Sequence, residues 1–258
     1  MKKIILIHKK EGETPLEALE NFRRKNKKYK DVKMTYAGRL DPLVSGLLLV
    51  LVGDAVHEKE KYTGLSKEYK FRVLFGFATD TYDILGKINY SDILENTRIV
   101  LSKQELEKKI KQNLKFFTGK FMQKYPMYSS KTVLGKPLFS YARAGKAVES
   151  PQHEVSVESL KFFGIKKISA KKLLENIERR IAKVKGDFRQ KEILKIWRKE
   201  LKSEQGLPLL KIADLKIKCG SGTYVRSIAN DLGERIGIPA LALSIKRTKI
   251  GKWSKMSK

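Results

Sequence analysis

Between Lys67 and Gly76 apolar and charged positions alternate. Tyr69, Phe71, Val73 and Phe75 fall on one side and Lys70 and Arg72 on the other, the two-residue period of a half-buried strand. Residues 209–220 repeat the pattern, setting Ala213, Leu215, Ile217 and Cys219 against Asp214, Lys216 and Lys218; residues 154–165 are also strand-like. Helical spacing appears elsewhere. Thr14-Pro15-Leu16-Glu17 predicts a helix start with Thr14 as N-cap, proline at the first position and Glu17 closing a capping box. Leu16, Leu19 and Phe22 then share a face. Ser102-Lys103-Gln104-Glu105 predicts a second capping box ahead of Leu106, Ile110, Leu114 and Phe117, with Gly119 as the stop. Ser221-Gly222-Thr223 is expected to cap a helix carrying Tyr224, Ile228, Leu232 and Ile236, closed by Gly237 and Pro239.

A further block, about residues 166–205, lies between two of these strands. Leu174, Ile177, Ile181 and Val184 recur at helical spacing, and Ile193, Trp197 and Leu201 do so again after Gly186-Asp187-Phe188. This predicts a basic helical hairpin inserted between strands. Trp197 lies on the apolar stripe and reads as packing rather than as a base-stacking ring. Strands and helices mix without a regular βαβ beat. The expected class is therefore α+β, a mixed and largely antiparallel sheet flanked by helices. With 258 residues and no repeat or low-complexity linker, one domain over 1–258 is expected.

Charge changes the picture. The chain carries 56 Lys and Arg against 28 Asp and Glu, a formal net charge of +28. Self-repulsion on that scale points to a polyanionic partner. A membrane partner fits less well: the longest apolar run, Leu47–Val52, has six residues, against ~20 for a bilayer span. Ile4 to Ile7 is too short for a secretory signal. The single cysteine, Cys219, excludes an intramolecular disulfide, and three scattered histidines give no metal spacing. A cytoplasmic monomer without metal or cofactor is expected.

Tyr36-Ala37-Gly38-Arg39-Leu40-Asp41-Pro42-Leu43-Val44-Ser45-Gly46 sets one acidic side chain between two glycine-containing turns, just ahead of the apolar run. A carboxylate held in so basic a protein points to use. Asp-Pro by itself is also an ordinary helix start, Tyr69 an ordinary core aromatic, and Arg226 a candidate for a surface ion pair. The basic run Arg23 to Lys30 leads up to this motif, which suggests phosphate contact.

Gly38-Arg39-Leu40-Asp41-Pro42 through Gly46 resembles the catalytic motif of the TruB family of pseudouridine synthases. Lys67 to Phe71, Thr79-Asp80-Thr81-Tyr82-Asp83-Ile84-Leu85-Gly86, Pro126 to Lys131 with Gly135 to Leu138 and Tyr141 to Gly145, and Cys219 to Ser227 with Asp231 to Gly233 are similar to its further motifs, in family order. The resemblance runs from about residue 4 to residue 253. It implies the pseudouridine synthase fold, a thumb-like RNA-gripping loop at about 122–150, and isomerisation of a T-loop uridine in tRNA (the position-55 class) without a cofactor. It implies further that Asp41 is catalytic, as nucleophile or as proton acceptor from the sugar, with Arg226 beside it. Tyr69 would stack on the extruded base, Tyr224 would lie close to acid and base, and Ile245, where the family has leucine, would pack beneath the pocket. Tyr36, Arg39, Lys131 and Arg143 complete the expected RNA contacts.

Three departures stand out. Tyr36-Ala37 replaces the family's histidine-threonine pair, so an aromatic wedge without an imidazole faces the flipping step. Arg39 gives an R-L-D run resembling ribosomal-RNA pseudouridine synthases. Bacterial relatives continue into a C-terminal RNA-binding domain, often of the PUA type, which is not expected here; the hairpin at 166–205 and the run at 23–30 are expected to make up its phosphate contacts. His57 also stands where lysine is common. The competing readings are an enzyme for ribosomal RNA and a non-catalytic tRNA-binding chaperone.

Overall fold

The computed structural model describes residues 2–89, 101–202 and 209–254. In chain order the elements are β1 (Lys3–Lys9), α1 (Pro15–Lys25), β2 (Met34–Ala37), β3 (Val44–Val52), α2 (Lys59–Thr63), β4 (Lys67–Phe75) and α3 (Lys103–Asn113). There follow β5 (Gly119–Lys124), β6 (Thr132–Val133), β7 (Lys136–Pro137), α4 (Leu138–Arg143) and β8 (Gln152–Ile168). The chain continues through α5 (Ala170–Ile181), α6 (Gln190–Lys202), β9 (Leu210–Cys219), α7 (Val225–Ile236), β10 (Ala240–Ile250) and β11 (Trp253–Ser254). The two predicted capping boxes form: Thr14 accepts from the Glu17 amide and Ser102 from the Glu105 amide, each glutamate reaching back to its cap. The third helix start differs from expectation. The N-cap of α7 is Tyr224, with no side-chain cap, while Thr223 Oγ1 donates to Gly220 and Ser221 Oγ to Thr63.

Nine of the strands form a sheet ordered β1-β3-β10-β4-β9-β8-β5, with β2 added to β3 and β11 to β10, while β6 and β7 pair with each other. All pairs are antiparallel except β3 with β10. The two larger hydrophobic cores lie on its two faces. Phe71, Val73 and Phe75 of β4 and Leu215 and Ile217 of β9 pack under α3 and α7. On the opposite face Leu74, Ile212, Leu241 and Leu243 pack under the hairpin α5–α6, with Trp197 fully buried between them. Thus the alternation in β4 reports one buried face, and the other is exposed at Lys70 and Arg72 but covered at Leu74. The inserted hairpin is a cover for the sheet, and hydrophobic burial holds it there.

Candidate active site

Strand β3 changes partner along its length. Val44 to Gly46 pair in parallel with β10, whereas Leu49 to Val52 pair with β2. The loop 38–43 leaves the sheet where β2 and β10 diverge. Leu40 enters the core on one face and Leu43 the core on the other, which leaves Asp41 and Pro42 on the seam. Asp-Pro starts no helix here: the Val44 amide donates to the Asp41 carbonyl at 3.0 Å, closing a turn that runs into β3.

Buried cations hold this loop. Lys9, the fully buried last residue of β1, donates to the carbonyls of Pro42 at 3.1 Å and Val44 at 2.6 Å. Burial pushes its ammonium down to about 8, against the opposing pull of Asp41. The Gly12 amide donates to the same Pro42 carbonyl at 2.9 Å. Arg247, also buried, donates through Nε to Leu47 at 2.7 Å and through Nη1 to Arg39 at 3.5 Å. Gly46 permits this approach. It has φ of +118°, and a Cβ there would lie 2.7 Å from the Arg247 nitrogen.

Arg226, in the first turn of α7, organises the centre. Its Nε donates to Asp41 Oδ2 at 2.7 Å, Nη1 to the Thr81 carbonyl, and Nη2 to the Tyr128 carbonyl at 3.2 Å. The arginine side chain is 4% exposed and that of Asp41 44%, so the acid faces the cleft and the base is enclosed behind it. Asp83 approaches the guanidinium at 3.8 Å and takes hydrogen bonds from Thr81 Oγ1 at 2.7 Å and the Leu85 amide at 2.9 Å. Burial pushes the Asp83 carboxyl up against the pull of Arg226. Burial also opposes the Arg226 charge, but Asp41 and Asp83 more than offset it and hold its proton above the ordinary guanidinium range.

The turn carrying Tyr224 is clamped from β5. Buried Gln123 accepts from the Tyr224 amide at 2.8 Å and donates to its carbonyl at 3.2 Å. His153 stacks on Tyr125 at 4.0 Å and contacts the Gly222 carbonyl at 3.1 Å, and both rings meet Tyr224 edge-on. Burial, then the Asp41 carboxylate, push the Tyr224 phenol up.

Asp41 opens into a cleft of about 860 Å³ that Tyr36, Arg39, Tyr69, Arg143, Tyr224, Arg226 and Ile245 also line. Seven of the expected residues thus meet Asp41 at one site. Ile245, 7% exposed and paired with Val44 and Phe71, forms part of the floor. Tyr69 stands opposite Arg247 across the β4–β10 pair, and burial pushes its phenol up. Tyr36 also packs against the buried cluster of Leu19, Tyr29, Val50 and Val52, with Lys59 Nζ 5.9 Å from its ring. Lys131 is the exception: its Nζ lies 5.3 Å from the Tyr125 ring and it does not line the cleft. Lys67, Asp83 and Arg247 line the cleft without standing among the expected site residues, as do Phe188 and Arg189, which the hairpin turn brings to its wall; Lys9 is likewise unexpected and holds the Asp41 loop through its carbonyls. A lysine closing the strand that carries the apolar run Ile4 to Ile7 is the available signal for Lys9. Among the described residues no group of three His, Cys, Asp or Glu side chains is placed to hold a metal ion. No helix among them is long and apolar enough to cross a membrane.

Comparison with known proteins places this architecture. A chain of a Cbf5-Nop10-Gar1 complex superposes with a TM-score of 0.56 at 18% identity, covering 98% of this chain and 50% of that one. A chain from an H/ACA RNP bound to a substrate RNA containing 2′-deoxyuridine gives 0.52 at 16% identity, covering 98% and 48%. These likenesses concern the fold. Residues 24–175 match a family model described as TruB family pseudouridylate synthase (N terminal domain). The class is a pseudouridine synthase. The tRNA pseudouridine synthase B of Ligilactobacillus salivarius is 30% identical over 96% of this chain and 67% of that protein. That of Fusobacterium nucleatum is 31% identical over 98% and 69%. The chain belongs to the TruB family, spanning about two thirds of these named relatives and about half of the solved chains.

Proposed function

We propose that the protein converts a T-loop uridine of tRNA to pseudouridine, with Asp41 as the group that performs the chemistry. The observation carrying this reading is the ion pair of Asp41 with enclosed Arg226 inside a cleft shared with Tyr69 and Tyr224. The reaction is an isomerisation: the C1′–N1 bond breaks, the uracil turns, C5 joins C1′, and the C5 proton is lost while N1 regains one. Asp41 acts at the sugar, as nucleophile at C1′ or as acceptor of a ribose proton. Arg226 holds that carboxylate in place through its 2.7 Å contact. Tyr69 offers a face for the extruded base, Ile245 an apolar floor, and Tyr224 a phenol that stays protonated and can relay the displaced proton. Tyr36 takes the wedging position at the cleft entrance. Arg39 and Arg143 meet phosphates at the rim, and the net charge of +28 suits the polyanion. The names of the relatives, tRNA pseudouridine synthase B, support tRNA as substrate.

The test uses unmodified tRNA and ribosomal RNA fragments, with pseudouridine located by chemical tagging and primer extension. Product in the T-loop, abolished by Asp41→Asn, is expected. Product confined to ribosomal RNA would reassign the substrate, and tight tRNA binding with no product from the wild type would remove the enzymatic reading.

A further inference from the structure

The cleft has a second wall that the uridine chemistry does not use. The hairpin turn between α5 and α6 contributes Phe188 and Arg189, and the thumb-like segment contributes Tyr128, Phe139 and Arg143. The Arg143 guanidinium stands 5.8 Å from the Phe139 ring and 5.8 Å from the Phe188 ring, and donates to the Asp187 carbonyl at 2.9 Å. Phe139 and Arg143 are exposed. A cation flanked by two aromatic rings at the mouth of a cleft suits an unpaired base and its phosphate: every base has a π face, and the guanidinium takes the backbone charge.

The turn is built to hold this shape. The Gln190 side chain accepts from the Phe188 amide at 2.9 Å and donates to the carbonyls of Val184 at 3.1 Å and Gly186 at 2.7 Å. Arg189 has φ of +62°, uncommon for a side-chain-bearing residue, and such strain persists where surrounding contacts enforce it. Here they do: Arg189 meets Asp80 through two hydrogen bonds, 2.7 and 3.2 Å, and lies 4.4 Å from the Tyr128 ring. The Tyr128 carbonyl in turn receives Arg226, the partner of Asp41. The second wall is therefore tied to the reacting centre by consecutive contacts, Asp41 to Arg226 to Tyr128 to Arg189.

We propose that Phe139, Arg143 and Phe188 form a second nucleotide subsite, which stacks an unpaired base neighbouring the uridine that enters the Asp41 pocket. This rests on the RNA-modifying reading above and adds a specificity contact supplied by the inserted hairpin. The base is recognised by stacking, so the subsite tolerates any base and rejects an abasic nucleotide.

The test uses the full chain, an unmodified T-arm stem-loop RNA, and the same RNA carrying 2-aminopurine at each loop position flanking the target uridine in turn. Phe188→Leu keeps apolar bulk against the hairpin core and removes the ring; Phe188→Tyr restores it. With Phe188→Leu the KM is expected to rise about tenfold, the loss of one stacked base, with the change read in KM rather than kcat and reversed by tyrosine. The wild type is expected to quench 2-aminopurine at one flanking position, and Phe188→Leu to lose that quench with an unchanged melting temperature. Equal KM and equal quench in wild type and Phe188→Leu would overturn the subsite. A wild type that makes no pseudouridine but still shows a Phe188-dependent quench would overturn the catalytic reading and leave the subsite standing.

Discussion

Arg226 donates to Asp41 at 2.7 Å across a boundary of solvent, with the base enclosed and the acid facing the cleft. The two ends of this pair should respond differently to removal. Arg226 also binds the Thr81 and Tyr128 carbonyls. Arg226→Met strips the Asp41 carboxylate and the Thr81 and Tyr128 carbonyls of their donor and leaves buried Asp83 without its opposing cation, and should cost roughly 3–5 kcal/mol of stability. Asp41→Asn leaves Arg226 with Asp83 and both carbonyls, so its effect on stability should stay within about 1 kcal/mol. On the proposed chemistry Asp41→Asn should nevertheless lower product formation by roughly 10³-fold or more. Urea unfolding and single-turnover pseudouridine assays on both variants check this, and equal destabilisation by the two would contradict it.

Gly46→Ala should fail structurally. Its φ of +118° disfavours any side chain, and the new methyl meets the Arg247 backbone rather than a movable side chain. A loss of roughly 2–4 kcal/mol follows, visible as a lowered melting temperature. Gly251→Ala, where the nearest atoms belong to the Leu65 side chain, should cost less.

Alkaline pH should first stabilise the fold. Burial brings Lys9 and, with help from Arg247, Lys67 down from 10.5 to about 8. Above pH 8 the folded protein has released protons that the unfolded chain keeps up to 10.5, so stability rises with pH in that window. Cys219 acts oppositely: burial pushes its thiol from 9.0 up to about 11, so above pH 9 the folded state keeps a proton the unfolded chain loses. Between pH 8 and 9 the two lysines outweigh the single thiol, which has only begun to ionise in the unfolded chain. The urea midpoint should increase over that interval in the wild type and increase less in Lys67→Met.

The hairpin should add to RNA affinity through its outer face. Lys191, Lys195 and Lys199 of α6 are exposed, at helical spacing, opposite buried Ile193 and Trp197. Replacing all three by glutamine should reduce the slope of log K against log salt by about 2–3, the release of three phosphate contacts, with no change in melting temperature. An unaltered slope in equilibrium binding to tRNA would exclude these lysines from the interface.

Much of the scaffold was legible because its signals are local. Thr14 and Glu17, and Ser102 and Glu105, close hydrogen bonds within one helical turn, so four residues of sequence contain the whole interaction. The β4 alternation and the stripe around Trp197 were equally readable, since period and burial follow from side-chain direction. Thr223 differs from expectation because the helix starts one residue later: Tyr224 holds the N-cap position without a side-chain cap, and the Thr223 hydroxyl donates to Gly220. Asp41, Tyr69, Tyr224 and Arg226 were identified by motif resemblance, and burial alone would have left Tyr69 a core aromatic.

Sequence by itself determined the class of elements, the basic character and the residues whose motif singles them out, because each depends on neighbours within a few positions. Tertiary structure alone decided which distant charges meet. Lys9 reaches the carbonyls of Pro42 and Val44, Arg247 that of Leu47, and Arg189 the carboxylate of Asp80. These partners lie far apart in the chain, and a lysine or arginine reads as a solvated surface residue until the sheet and its covering hairpin remove the water around it. Desolvation makes such a contact strong, and it exists only once the chain has folded.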